Sequence, residues 1–237
     1  MPIFTYHLVV LPICTSLKLM FFEPNSKNIK GLIHAEYMTE MILGSSVFSP
    51  KRLLFRRVAI FAQWENEKAI DSYLTQNSLG KKIAKGWHLR LLLTRQWGKI
   101  SKFKIDTTSL CSENEKSPVV AVTIARMKFL EIPRFIKWGK PVEKLVRDHK
   151  GTLLSTASIR FPRTISTFSI WKNKQDMTNM VFGHSSMENP KRHIEAMNER
   201  AKKDFHIEFT TLRFEAIAEF GKYNGKSNYL GNFSKTI

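Results

Sequence analysis

Cysteine is almost missing from this chain. Cys14 and Cys111 stand far apart with no CxxC pair, which excludes a disulfide framework and a cysteine-based zinc site. No apolar run reaches the ~20 residues that a membrane-spanning helix needs. The closest, Leu8 to Phe22, is interrupted by Pro12, Thr15, Ser16 and Lys18. It also lacks the basic start and small-residue cleavage site of a signal peptide, so a retained, cytoplasmic protein is expected. HExxH, GxSxG, P-loop and GxGxxG patterns are absent, and the acids show no pairing suited to acid–base work. A hydrolase or kinase is therefore not expected. Acidic residues are scarce altogether, 20 against 38 Lys+Arg, for a net charge of +18.

What remains is ordinary globular material, 43% hydrophobic and 24% charged over 237 residues, enough to bury a substantial core. The positive charge is uneven: residues 51–104 carry 13 Lys+Arg and 3 Asp+Glu. Such a surface attracts anions, whether nucleic acid, acidic lipid headgroups or an acidic protein. It would equally serve as a solvated face, because charge alone predicts solubility and nonspecific affinity rather than function.

Ile3 to Ile13 reads as a buried strand. A polar loop over Glu23–Gly31 precedes Leu32 to Leu43, where Leu32, Ala35, Met38, Met41 and Ile42 fall at helical spacing and Gly44 supplies a stop. A further strand is expected around residues 47–54, and a clearer one over Phe55–Trp64. Asn66 caps a helix carrying Ala69, Ile70, Tyr73 and Leu74, and Trp87–Trp97 closes the series as a strand. The order β-α-β-β-α-β is the ferredoxin-like plan.

After a polar linker the plan restarts, with a strand over Val119–Met127 and a helical pattern over Pro133–Asp148. Paired strands at Thr152–Phe161 and Arg163–Trp171 follow, and then a helix capped by Asn173 with Asp176 as capping-box partner. Val58 matches Ile165, Phe61 matches Phe168, Trp64 matches Trp171 and Asn66 matches Asn173, all at an offset of 107. At an offset of 118, Trp87-His88 matches Phe205-His206 and Arg95 matches Arg213. The difference places an eleven-residue insertion around His184–His193. The predicted fold class is α+β: tandem ferredoxin-like repeats forming a pseudo-twofold dimeric α/β barrel, since packing sheet on sheet buries both inner faces. The first half is residues 1–100, the linker 101–118 and the second half 119–220. A polar, flexible tail occupies 221–237.

Of the seven histidines, His193 begins an amphipathic helical stretch. An imidazole there, over an apolar sheet, can bind haem iron through one nitrogen while the other is held by a hydrogen bond. It can equally be a surface or cap-region histidine. His184, after Gly183, competes as ligand from a loop. His88 and His206 occupy matched positions, each after an aromatic; His88 is expected to point away from the core beside an inward aromatic, and His206 is the candidate catalytic residue. Arg95 and Arg213 suit haem propionates or neighbouring acids.

The helix led by Trp171, His193, and the Phe205-His206…Arg213-Phe214 strand resemble spheroidene monooxygenase and its relatives. So does the run Trp64-Glu65-Asn66-Glu67-Lys68-Ala69…Gly86-Trp87-His88-Leu89-Arg90. The likeness covers most of residues 1–220. It implies a dimeric α/β barrel and a haem-dependent oxygenase that inserts oxygen into an acyclic carotenoid. His193 matches the family's histidine ahead of the last strand. Phe182 stands where the pattern has a tyrosine, so that hydroxyl is lost. On this reading haem, with its iron on His193, lies between sheet and helix in the second half, in an apolar hollow between the duplicated sheets, Arg213 holds a propionate, and His184 is the alternative ligand. The partners are a small apolar substrate and an electron donor that the sequence does not name. The basic surface would suit a peripheral position on an anionic membrane.

Two other readings stay open. A cofactor-free monooxygenase of the same fold would use His206 or His193 as base. A basic, non-enzymatic module would bind RNA through its sheet, although no RNP-type aromatic signature is present and nucleic acid is not expected.

Overall fold

The computed structural model describes residues 2–24, 26–46, 49, 51–106, 110–112, 115 and 117–231. Its first half runs β1 (Ile3–Val10), α1 (Ile13–Phe21), β2 (Leu32–Met41), β3 (Leu53–Trp64), α2 (Glu67–Gln76), α3 (Ser78–Ile83) and β4 (Trp87–Lys99). The second runs β5 (Val119–Met127), α4 (Ile132–Trp138), α5 (Val142–Asp148), β6 (Thr152–Arg160), β7 (Thr164–Trp171), α6 (Lys174–Val181), α7 (Arg192–Lys202) and β8 (His206–Phe220). The strands close into one barrel in the order β1-β3-β2-β6-β7-β5-β8-β4, every pair antiparallel. The fold is thus a tandem ferredoxin-like α+β barrel, its halves joined through β2–β6 and β4–β8.

Local chemistry explains most elements. Asn66 and Asn173 both cap as expected, accepting from Ala69 N–H at 3.0 Å and Asp176 N–H at 2.8 Å. The stretch expected as one helix from Pro133 to Asp148 is two, because the Gly139-Lys140-Pro141 turn interrupts it. Leu32–Met41 is a strand and not a helix. Leu32, Ala35 and Tyr37 pack outward under the helices while Met38 packs inward. With both faces covered, the two-residue alternation vanishes from the sequence. Of the strand expected at 47–54, residues 47, 48 and 50 lie outside the described residues, and β3 begins at Leu53.

Strand pairing also shifts the repeat at its end. Phe4 faces Leu91 and Val120 faces Phe214, while His7 faces His88 and Thr123 faces Thr211. The counterpart of His88 is therefore Thr211 and not His206. The insertion between β7 and β8 is correspondingly five residues longer than the sequence match implies.

The interior is packed solid. Phe4, Tyr6, Phe61, Trp87, Phe168 and Phe214 fill it together with aliphatic residues from all eight strands, and Tyr6 stacks on Phe168 with centroids 3.9 Å apart. The hollow expected between the sheets is therefore taken by side chains. At one mouth Phe103 packs into this core, and Lys104 exchanges two hydrogen bonds with Gln63. At the other mouth the segment after Gly221 folds back rather than trailing away. Tyr223, Tyr229 and Leu230 are buried, the Tyr223 hydroxyl bonds Glu40, and Glu219 accepts from Trp87 Nε1 at 2.7 Å and Tyr229 N–H at 3.0 Å. Residues 232–237 of that tail lie outside the described residues.

Inside the first mouth sits Glu36, with no exposed side-chain surface. It meets Arg126 at 2.8 Å, Arg160 at 2.7 Å and His34 Nε2 at 2.8 Å. Removing one partner of a buried pair strands the others without compensation. Glu36→Gln is expected to lower unfolding free energy by about 3–5 kcal/mol, measured by denaturant titration.

On the outer face of the first half, His7 and His88 stack at 4.7 Å, and His88 stacks on Phe220 at 4.6 Å. Both rings are buried. Burial, then the Arg90 guanidinium, pushes His88 down to about 4. Burial, then His88, lowers His7. The unfolded chain therefore takes up protons that the folded one refuses. Stability is full above the ordinary histidine value of ~6.5 and falls as the pH drops from there towards 4, where His88 itself protonates. His88 alone accounts for on the order of 3 kcal/mol. Unfolding free energies across that window should fall steadily in the parent chain, and His88→Phe should make that slope shallower by the His88 share.

Candidate functional site

The two halves carry different layers between sheet and helices. In the first, Val9, Val58, Ile60, Ala62, Trp64 and Tyr37 join residues of α1–α3 in one continuous buried cluster. In the second, the same layer is split in two. Val119 and Trp171 pack with Leu145, Met177 and Met180, while Ala125, Met127 and Phe205 pack with Ile132, Phe135, Trp138 and Phe209. Between these clusters runs a band of hydroxyls: Thr167, Thr123 and Thr211 are register partners across β7, β5 and β8. All three are only half-buried, and Thr123 and Thr211 share a hydrogen bond of 3.1 Å. Their counterparts in the first half are Ile60, His7 and His88, all buried. This half-open strip between sheet and helices is the candidate site.

The strip continues onto β4, where Trp97 is the partner of Thr211. Arg95 and Arg213, themselves register partners, both lay their guanidinium groups on the Trp97 ring, at 4.3 Å and 4.6 Å from its centroid. Arg213 is buried and Trp97 part-exposed, so one end of the strip is a cationic platform on an indole face.

His193 lies in the first turn of α7, half-buried, with Nδ1 3.1 Å from the carbonyl oxygen of Val181 at the end of α6. That bond requires Nδ1 to be the donor, which leaves the lone pair on Nε2. Burial lowers the pKa of the ring, opposed by the Val181 bond, so the ring is neutral at pH 7. His184 is exposed in the α6–α7 connection, its ring 6.3 Å from that of Phe182. His206 opens β8 and is buried, with Nδ1 2.7 Å from Asp204 Oδ1. Burial lowers its pKa, and the Asp204 carboxylate opposes the shift.

Among the described residues no three His, Cys, Asp or Glu side chains converge on a metal position. His193 has one ring nitrogen held by the Val181 carbonyl, and Arg95 and Arg213 stack on Trp97; an imidazole of this kind could hold a metal and guanidinium groups could meet carboxylates. The threonine band, Trp97 and the Asp204–His206 pair escaped the sequence reading. The repeat did hold a signal, because at an offset of 107 the apolar Ile60 and Ala62 become Thr167 and Ser169.

The band behaves as a coupled unit. Thr123→Val and Thr211→Val should each cost about 0.5–1 kcal/mol. The double variant should cost no more than the larger single, since both lose the same bond. Denaturant unfolding of the four proteins measures the coupling.

No protein-family model matches the chain, and no curated protein does. Among solved structures, an aldoxime dehydratase (OxdRE) in complex with butyraldoxime is similar at a TM-score of 0.56 and 6% identity, over 96% of this chain and 85% of that one. A second aldoxime dehydratase is similar at 0.46 and 8% identity, over 91% and 81%. A candidate monooxygenase (FN1347) from Fusobacterium nucleatum subsp. nucleatum is similar at 0.40 and 13% identity, over 93% and 94%. The last two likenesses are too loose to bear on function. The first, at its low identity, establishes a shared fold and nothing finer.

Proposed function

We propose that this chain is a haem-dependent oxygenase acting on an extended apolar substrate of the acyclic carotenoid kind, bound along the strip on the outer face of its second half. The observation that carries the reading is His193, whose Nδ1 is fixed by the Val181 carbonyl at 3.1 Å. A metal-binding histidine characteristically donates its other ring N–H in this way, which holds the tautomer and orients the free nitrogen. Arg213, with Arg95 beside it, would meet the propionates, and His184 is the alternative ligand on the same connection. When bound, the haem supplies the activation of dioxygen. The protein's part is positioning and exclusion of water. Met177, Met180 and Val181 shield the ligand side, and the threonine band offers donors along an otherwise apolar groove. Electrons come from a separate donor.

A second reading rests on a different observation. His206 with Asp204 at 2.7 Å has the arrangement of a general base steadied by a carboxylate. That pair would serve a cofactor-free oxygenase in which the substrate itself reduces dioxygen.

Absorption spectra separate the two. Protein supplied with haem is expected to show a shifted Soret band that His193→Ala abolishes, with affinity falling by more than the roughly 10–100-fold that losing an outer-shell partner costs. His184→Ala and His206→Ala should keep the band. No Soret shift in the parent chain overturns the haem reading. Turnover by iron-free protein, lost in Asp204→Asn, would establish the second.

A further inference from the structure

Fourteen large apolar side chains stand exposed among the described residues, and six of them gather at one mouth of the barrel: Phe21, Phe22, Phe129, Leu130, Phe161 and Ile207. They come from separate turns that charged contacts hold together. Phe21 and Phe22 end α1, and the next residue, Glu23, pairs with Arg160 and with Lys102. Phe161 follows Arg160 in the β6–β7 turn, and Arg163 on that turn reaches over the Phe129 ring at 5.5 Å. Phe129 and Leu130 lie in the β5–α4 connection, where Lys128 N–H bonds the Phe205 carbonyl just ahead of Ile207. Leu130 is 93% exposed and Phe22 71%, values typical of tips rather than of a flat face.

The charge around these tips has one sign. The carboxylates of that end are matched within the fold: Glu36 and Glu208 by Arg126, Glu131 by Arg134 and Lys203, and Asp204 by Arg200. Lys128 and Arg163 meet a backbone carbonyl and an aromatic ring instead, and among the described residues no carboxylate pairs with either. We infer that this mouth docks onto the surface of an anionic lipid bilayer. The phenylalanines and Leu130 would enter the boundary between headgroups and acyl chains, and Lys128 and Arg163 would meet the phosphates. A second copy of the chain fits less well, because each copy carries +18 and would bring cation to cation. The inference does not depend on the oxygenase reading.

The test is co-sedimentation of the full chain with vesicles of phosphatidylcholine and phosphatidylglycerol in equal parts, against phosphatidylcholine alone. The parent chain should bind the anionic vesicles and lose them as salt is raised. Leu130→Ser with Phe161→Ser should reduce partitioning on the order of 10²-fold, and Lys128→Glu with Arg163→Glu should abolish the preference for anionic lipid. Phe55→Ser, at the opposite mouth, should bind as the parent does. Unchanged melting temperatures would show that these exposed substitutions leave the fold intact. Equal binding by the Leu130/Phe161 variant, absence of binding by the parent, or a dimer in solution that this variant dissolves would each overturn the proposal.

Discussion

A carboxylate sealed from water ties the two repeats together. Glu36 belongs to the first half, and the guanidinium groups that neutralise it, Arg126 and Arg160, belong to the second. A buried charge adds little net stability over an apolar core, yet its loss from an assembled site is severe. Its consequence here is geometric. Only one docking of the two sheets sets Glu36 between those arginines, and that docking also aligns β2 with β6, the shorter of the two seams. Apolar packing alone would tolerate a slip in register, whereas three charges in low dielectric would not.

The barrel is closed, and aromatic and aliphatic side chains occupy its interior. In the layer between sheet and helices the duplication leaves the two halves different. The first half keeps an unbroken apolar layer and so behaves as scaffold. The second replaces isoleucine and histidine positions with threonine, which lowers the gain from burying that face and leaves it half-open. The longer connection carrying His184 and His193 follows β7, one of the strands of the opened face. One repeat is thus free to diverge because the other, locked to it through Glu36, holds the shape.

How much of this was legible in the sequence depended on which faces each segment buries. Phe55–Trp64, though buried on both faces over 58–64, is legible as a strand from its run of β-branched and aromatic residues, and helices opened by Asn66 or Asn173 announce themselves through capping chemistry. Leu32–Met41 does not, because Glu36 and Glu40 are interior residues and Ala35 and Tyr37 lie under helices. A strand buried on both sides with charges inside matches neither period, and its chance apolar spacing mimics a helix. The repeat was visible through Trp64/Trp171 and Asn66/Asn173. The match of His88 with His206 was a coincidence of Trp-His and Phe-His dipeptides, and hydrogen-bond register, which sequence does not display, corrects it. The tail failed for a related reason: its polar composition concealed two tyrosines and a leucine whose polar partners, Glu40 and Glu219, are distant in the chain.

The candidate histidines were readable as residue types but not as environments. His184, His193 and His206 look alike in sequence, and all lie near the insertion or the last strand. In the fold one is solvated, one is held by a carbonyl and one by a carboxylate. Those second partners decide the chemistry each ring can perform. A carbonyl accepting from Nδ1 fixes the lone pair on Nε2, while burial lowers the pKa of the ring, which suits coordination. A carboxylate stabilises the protonated ring, which suits proton transfer. Had the Val181 carbonyl and the Asp204 carboxylate been exchanged, the same sequence of histidines would favour the opposite assignment. What separates the environments of His193 and His206 is a backbone oxygen at the end of α6 in one case and the Asp204 carboxylate in the other.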